Sequence, residues 1–229
     1  MKVGIMQPYF MPYIGYFQLI KAVDKYVIYD DVTYIKGGWI NRNNILINNE
    51  KSMITVSLAG SSSNKRINET EIKDDFKKLI KTININYSKA PFFTEISDLL
   101  NKVFLFEKKT LSLFIENSIK EILKYLDIST PLVLSSSLEK DSNLSGQEKV
   151  LAICKELNAT HYYNAIGGME LYNKKIFTEN GIELSFLKTN DIEYKQFSNF
   201  FVPNLSIIDV LMFNSIDCIN DFLEKYILV

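Results

Sequence analysis

Histidine and tryptophan each occur once in this chain and cysteine twice, and these scarcities narrow the chemistry first. With His161 as the only histidine, a histidine-built zinc site or a Ser-His-Asp triad is hard to assemble. Cys154 and Cys218 stand far apart among apolar neighbours and read as buried free thiols. An excess of either charge is also missing. The 26 basic and 27 acidic residues leave a formal charge of −1, no footprint for binding polyanions, so duplex DNA is not an expected partner. The short basic runs Lys77-Lys78 and Lys108-Lys109 fall in helical patterns and read as solvated faces. No stretch reaches the roughly 18 uninterrupted apolar residues of a membrane span, and the start lacks the basic-then-apolar pattern of a secretory signal. A cytoplasmic chain without membrane insertion is the expectation. There is no Walker A motif, no Gly-x-Gly-x-x-Gly and no Cys-x-x-Cys, which argues against those three classes.

What is present suits a folded α/β chain. Hydrophobic residues make up 47% of the 229 positions and charged residues 23%, enough to build a sizeable core, and 13 Tyr with 15 Phe make that core aromatic. Residues 2–6 form an apolar run stopped by Gln7-Pro8, the pattern of a buried strand ended by proline. Phe17, Leu19, Ile20 and Val23 suit a helix over residues 13–23, and residues 26–29 supply a second strand ending in Asp30-Asp31. Residues 33–44 mix Gly, Asn, Arg, Lys and the one Trp without periodicity, which marks a loop of the kind that carries sites. Residues 45–47 and 53–58 read as a strand pair, and residues 60–64 as a flexible connection.

Three helical patterns between about 74 and 126 read as a helical insert, the second opening near Pro91 and the third at Lys109-Thr110. A strand returns at 131–134. Ser145 and Glu148 then have capping-box spacing at the head of a helix whose apolar positions are Val150, Leu151, Cys154 and Leu157. A strand at 161–164, a short helix over 172–179, a strand at 182–187 and helices over 207–213 and 215–226 complete the chain. The alternation predicts an α/β domain over residues 1–229 with a mainly parallel, Rossmann-like sheet flanked by helices, because each parallel pair needs a crossover.

Ligands in such folds bind beyond the carboxyl ends of strands. Three candidates stand at such ends: Gln7-Pro8, Asp30-Asp31, and the stretch from Asn164 to Gly167 and Gly168. Their shared place in the topology predicts one cleft. Gln7 suits a loop hydrogen bond as well as a ligand contact, and Asp30 and Asp31 suit turn caps, a solvated pair or Mg²⁺ ligands. Trp39-Ile40-Asn41-Arg42-Asn43 offers an aromatic plane, a fixed cation and two amides within five residues, which fits a base and a phosphate or carboxylate. Lys36 is a phosphate partner or simply exposed. His161 is a structural histidine or a general base. Asp209, inside an apolar segment, needs a partner if buried, either a structural salt bridge or a catalytic contact.

The segment Gln7-Pro8-Tyr9-Phe10-Met11-Pro12-Tyr13-Ile14-Gly15-Tyr16-Phe17 is too particular for helix or strand patterning. It resembles the N-terminal signature of the WbqC-like family. The likeness continues through residues 24–31, 36–44, 87–93, 161–168 and 201–209, the last with Pro203-Asn204-Leu205-Ser206-Ile207-Ile208-Asp209. The chain departs from the family pattern at Tyr13, where a tryptophan is usual, near Gly37, where an arginine is, and at Asn164-Ala165, where a Ser-Gly pair is. The resemblance implies a role in bacterial O-antigen or other surface-polysaccharide biosynthesis, through N-acylation of a nucleotide-linked deoxyamino sugar such as a dTDP-sugar with an amino acid or other acyl donor. A looser likeness places Tyr13-Ile14-Gly15-Tyr16 where the nucleotidyltransferase-like fold has His-x-Gly-His, at the start of the helix after the first strand. There the glycine lets the helix start approach a nucleotide, whose phosphate the helix N-terminus stabilises. Tyrosines stay neutral near pH 7, so Lys36 or Arg42 would have to supply positive charge.

On this reading the catalytic candidates are Lys36, Arg42, Asp31 and His161. The binding candidates are Gln7, Tyr9, Tyr13, Gly15, Tyr16, Asp30, Trp39, Asn41, Asn43, Asn164, Gly167 and Gly168, with no protein-built metal site. If the looser likeness holds, ATP with Mg²⁺ activates the carboxylate as an adenylate. A thioester or aminoacyl-tRNA donor would need no free ATP, and a non-catalytic nucleotide-sugar binding or scaffold protein is the alternative from another class.

Overall fold

The computed structural model describes residues 1–60, 65–107 and 110–229. Most of the expected connection at 60–64, and the Lys108-Lys109 pair with the expected start of a helix at Lys109, lie outside the described residues. In chain order the elements are β1 (Lys2–Met6), α1 (Ile14–Lys21), β2 (Lys25–Ile28), β3 (Arg42–Ile47), β4 (Glu50–Thr55), β5 (Leu58–Ala59) and β6 (Glu71–Ile72). The helices α2 (Lys77–Tyr87), α3 (Phe93–Phe104) and α4 (Leu111–Tyr125) follow. Then come β7 (Leu132–Leu134), α5 (Gly146–Glu156), β8 (His161–Ala165), α6 (Lys174–Glu179), β9 (Glu183–Thr189), α7 (Ile207–Phe213), α8 (Ile216–Leu223) and β10 (Tyr226–Leu228).

Six strands form one sheet in the order β10-β9-β8-β1-β2-β7. All neighbours are parallel except β10, which runs antiparallel to β9. Counted along the chain these strands stand 3-2-1-4-5-6, the Rossmann order, with the reversal of strand order falling between β1 and β8. The expected α/β class with a mainly parallel sheet is therefore observed.

Alternation along the strands builds two apolar layers. Val3, Ile5, Val27, Tyr162, Leu184 and Phe186 meet Val150, Ile153 and Cys154 of α5 and Phe177 of α6 on one face. On the other, Tyr26, Ile28, Tyr163 and Leu187 meet Phe17, Leu19 and Ile20 of α1 and Leu223 of α8, and the same apolar cluster runs on into α2, α3 and α4. Phe17, Leu19 and Ile20 are fully buried, each contributing about 1.5–3 kcal/mol.

Several local expectations change. β3 begins at Arg42, so Arg42, Asn43 and Asn44 are strand residues rather than loop; the Asn48-Asn49 turn, with φ of +54° and +64°, pairs them with Thr55, Ile54 and Met53. Asparagine tolerates the left-handed conformation such a two-residue hairpin turn requires, which fixes the register earlier than the apolar pattern suggests. Ser145 stands at the N-cap of α5, but its side chain makes no capping bond. Residues 166–171 form a 3₁₀ turn and α6 starts only at Lys174, where Asn173 accepts a hydrogen bond from the Lys175 backbone N–H. The last helix stops at Leu223 because the final residues join the sheet as β10, a partner that only a tertiary contact supplies. Cys218 is half-buried rather than buried, whereas burial pushes the Cys154 thiol up to about 12 and leaves it unreactive.

Candidate functional site

β1 lies between β2 and β8 and runs parallel to both. The carboxyl ends of these three strands, carrying Gln7, Asp30 and Asn164, therefore stand side by side at steps of about 4.8 Å, at the point where the strand order reverses. The signature segment crosses this edge and is pinned by polar groups. Asn43 Nδ2 donates to the carbonyls of Phe10 (3.1 Å) and Met11 (2.7 Å), and Ser206 Oγ also donates to the Met11 carbonyl at 2.7 Å. Met11 has φ +44°, a left-handed conformation that costs a non-glycine residue about 1–2 kcal/mol, and these bonds offset the strain. The Tyr16 hydroxyl donates to the Gln7 carbonyl at 3.0 Å, and the Tyr9 ring packs 5.7 Å from that of Tyr16.

The 33–41 loop is tied to this segment by the Phe10 N–H, which donates to the Trp39 carbonyl at 3.3 Å. Arg42 Nε donates to the Gly38 carbonyl at 2.9 Å, and its guanidinium lies 5.9 Å from the centre of the Trp39 ring. Trp39 is 44% exposed, and Lys36 is exposed with no ion pair among the described residues. Asn41 faces inward: its Oδ1 accepts from the Tyr34 hydroxyl and its Nδ2 donates to the Val56 carbonyl, both at 2.8 Å. The amides of Asn41 and Asn43 are thus engaged by their own fold.

Asp30 and Asp31 are buried beneath the turn after β7. Asp30 accepts from the Ser136 N–H (2.9 Å) and hydroxyl (2.7 Å); burial nevertheless raises its carboxyl above the ordinary value. Asp31 accepts from the Ser135 hydroxyl at 2.7 Å and from the ammonium groups of Lys140 and Lys149, each at 3.0 Å. Burial works to raise Asp31, but these three donors outweigh it and hold the carboxyl below its ordinary value. Lys140 donates onward to the Ser135 carbonyl, and Lys149 to the Asp31 carbonyl at 2.8 Å. Two aspartates and two lysines leave this cluster neutral and closed on itself.

On the far side of β1, Asn164 Oδ1 accepts from the Ala165 N–H at 2.7 Å. Its amide lies over Gly168, where a Cβ would come within 2.6 Å of Asn164 Nδ2. Gly167 is exposed, with nothing within 4 Å of its Cβ position. Tyr13 is the N-cap residue of α1 and makes no side-chain capping bond. Its ring occupies the room Gly15 leaves: a Cβ on Gly15 would stand 2.3 Å from Tyr13 Cε2 and 2.5 Å from Thr189 Oγ1. That space is filled from within rather than open to a nucleotide. His161 is a correction. It begins β8 and pairs with Lys2, at the amino edge of the sheet, with Thr160 and Glu183 as neighbours. Parallel strands place the start of β8 at the opposite edge from Gln7 and Asn164, so His161 is no part of a cleft there.

A cavity of about 540 Å³ opens against Tyr13 and Ile14 at the end of β9. Thr189, Asn190, Asp191, Glu193, Tyr194, Phe201 and Asn204 are among its lining residues. Behind it Asp209, fully buried, accepts from the hydroxyls of Tyr87 (2.9 Å) and Tyr194 (2.7 Å) and from Gln196 Nε2 (2.8 Å). No cation pairs with it among the described residues, so the partners its burial demands are neutral donors rather than a salt bridge.

The WbqC-like protein family model matches residues 7–221. The chain belongs to the WbqC-like family. Consistent with that membership, an uncharacterized protein of Mycobacterium tuberculosis, Rv1507c, is 34% identical over 215 residues, 92% of each chain. No solved structure matches. The family match opens at Gln7, the first residue beyond β1, and spans the loop with Lys36, the lysines on Asp31 and the cavity at the end of β9.

Sequence reasoning about this WbqC-like chain missed Lys140, Lys149 and the cavity residues. Lys149 carried a readable signal: it stands one turn before Ile153 on the apolar side of α5, where a lysine needs a partner. The cavity follows a fourth strand end, that of β9, whose downstream residues 190–205 have no periodicity to place them.

Proposed function

We propose that this WbqC-like protein is an enzyme of surface-polysaccharide biosynthesis that acylates the amino group of a nucleotide-linked deoxyamino sugar, forming an amide with an amino acid or similar carboxylate. Family membership supports the pathway and, more loosely, an enzyme. The single observation that carries the reading is the side-by-side placement of the β1, β2 and β8 ends at the reversal of strand order, where α/β folds bind nucleotides, with an aromatic and cationic loop tied onto the same edge through Phe10 and Trp39.

At that edge Trp39 offers an exposed face for a base, and Lys36 and Arg42 are the cations available to phosphate. The ammonium first gives up one proton to become the free amine; its nitrogen then bonds to the activated carboxyl carbon, the carboxyl oxygen departs with the activating group, and a second proton passes to solvent. In water this condensation needs an activated carboxylate, and ATP with Mg²⁺ supplies the leaving group when bound. Among the described residues no group of three or more His, Cys, Asp or Glu could hold a metal ion. The fitting arrangement is therefore Mg²⁺ carried largely by phosphate oxygens, with at most one or two carboxylates from the chain.

A second reading, a nucleotide-sugar binding or scaffold protein, is favoured by the engagement of Asp31, Asn41 and Asn43 in bonds within the fold. Incubating dTDP-linked amino sugars with glycine, ATP and Mg²⁺ and weighing the products separates the two. A mass gain equal to one acyl group supports the enzyme; tight calorimetric binding with no gain across donors and sugars supports the binder.

A further inference from the structure

The cavity beside Tyr13 has a hydrogen-bonding character that can be read group by group. Two of its three hydroxyls, those of Tyr194 and Thr189, have their protons engaged elsewhere. The Tyr194 hydroxyl donates to Asp209 Oδ1 at 2.7 Å, and Thr189 Oγ1 donates to Gln18 Oε1 at 2.7 Å. Gln18 is fixed in that orientation because its Nε2 donates to the carbonyls of Phe222 (2.8 Å) and Lys225 (3.0 Å). Toward the cavity, Tyr194 and Thr189 therefore present lone pairs. Asp191 and Glu193, when ionised, only accept. Side-chain donors come from Asn190, Asn204 and the Tyr13 hydroxyl, and no lysine, arginine or histidine is among the lining residues, although Lys188 and Lys195 lie close in sequence.

One feature of the wall opposes this acceptor character. The start of α1 carries the positive end of a helix dipole, equivalent to about +0.5 of a charge. Two full carboxylates outweigh it, and the Tyr13 ring packs over the first turn at Gly15. The remaining walls are aliphatic side chains such as Ile14 and Leu205 together with the rings of Tyr13, Tyr194 and Phe201, which suit the apolar face of a ring-shaped ligand. The volume lies within the range of small-molecule sites.

We infer that this cavity is the seat of a hydroxylated ring bearing an ammonium group, with Asp191 and Glu193 selecting the charge, and that it turns phosphate away. The two carboxylates and the lack of a cationic lining residue carry that assignment; naming the ring as the amino sugar of the substrate rests on the function proposed above. The two ends of such a substrate match the two sides of the signature segment. Phe10 is bonded to Trp39 on the cationic side and Tyr13 lines the acidic cavity, three residues away, which even a fully extended chain spans in about 11 Å. On this inference one nucleotide-linked amino sugar spans both.

Titrating the ¹⁵N-labelled protein with glucosamine, N-acetylglucosamine and inorganic pyrophosphate tests the assignment, with amide signals as the readout. Glucosamine is expected to move the signals of Asn190, Asp191, Glu193 and Tyr194 and to bind about tenfold more tightly than its N-acetyl form, the scale of one charge-assisted hydrogen bond. In the variant carrying Asp191→Asn and Glu193→Gln, both exposed positions whose exchange leaves the core intact, that preference disappears. Equal binding of the two sugars, a silent cavity, or pyrophosphate moving the cavity signals overturns the proposal. Cavity shifts without turnover in the mass assay support the seat and remove the N-acylation reading. Turnover with a silent cavity removes the seat.

Discussion

The side-chain amide of Asn43 donates to the carbonyl of Met11 at 2.7 Å, joining the second residue pair of a β-hairpin to a left-handed residue in the segment that crosses the carboxyl edge of the main sheet. Asn43 is buried and also holds Phe10 and the Asn44 N–H, so its removal leaves buried carbonyls with fewer donors. Asn43→Ala is expected to lower the unfolding free energy by about 1–3 kcal/mol in urea denaturation. A change below about 0.5 kcal/mol, as for an ordinary surface site, would show that the clamp carries no weight.

Asp31 gives a prediction in pH. Its carboxyl is held below the ordinary value, so its contribution is fully present above the unfolded value of about 3.9 and is lost as pH falls through the lower folded value. Asp31→Ala leaves Lys140 and Lys149 buried without the carboxylate that pairs them both and is expected to cost about 3–5 kcal/mol at pH 7. The gap between the two proteins, followed by denaturation at successive pH values, should narrow below pH ~4. A gap that stays constant into acid argues against the ion cluster as the source.

At Gly15 the expectation is steric. A Cβ there meets Tyr13 Cε2 at 2.3 Å and Thr189 Oγ1 at 2.5 Å, so Gly15→Ala is expected to lose about 1–3 kcal/mol through overpacking. Adding Tyr13→Ala removes one of the two clashes, and the double variant should be more stable than the sum of the single losses by about 0.5 kcal/mol or more. Strict additivity in thermal denaturation would mean that the Tyr13 ring does not rest on Gly15.

These residues also mark where the sequence could be read and where it could not. The strands β1 and β8 follow from apolar runs ended by proline or glycine, and the helix α7 from an apolar run between polar residues, all local signals. Asp30, Asp31, Gln7 and Asn164 were legible as strand-end residues, because strand ends place polar groups on one edge whatever the helices do. The partners of Asp31 were not: Lys140 and Lys149 are 109 and 118 positions away along the chain, and only the folding back of the segment after β7 and the docking of α5 bring them in. Asn41 and Asn43 looked like ligand groups because a polar loop and a polar strand start share the same composition. Tertiary contact decides that both amides turn inward. His161 was legible as a strand start, and parallel pairing puts strand starts at the edge opposite Gln7 and Asn164, away from the other candidates.

Lys36 is exposed and makes no ion pair among the described residues, so its removal should separate function from stability. Lys36→Ala is expected to leave the unfolding free energy within about 0.5 kcal/mol while lowering turnover of a nucleotide-linked amino sugar by about 10²-fold, the usual scale for losing one transition-state electrostatic partner. Unchanged turnover in the mass assay takes Lys36 out of the site.

The central claim is that substrate binds across the carboxyl edge of β1, β2 and β8. Hydrogen–deuterium exchange with and without a dTDP-linked amino sugar tests it most directly. The account predicts slowed exchange in residues 7–16, 36–42, 164–168 and 189–194 and no change around Thr160 and His161 at the opposite edge. Protection confined to the amino edge, or to the outer helices α2 and α3, would contradict it.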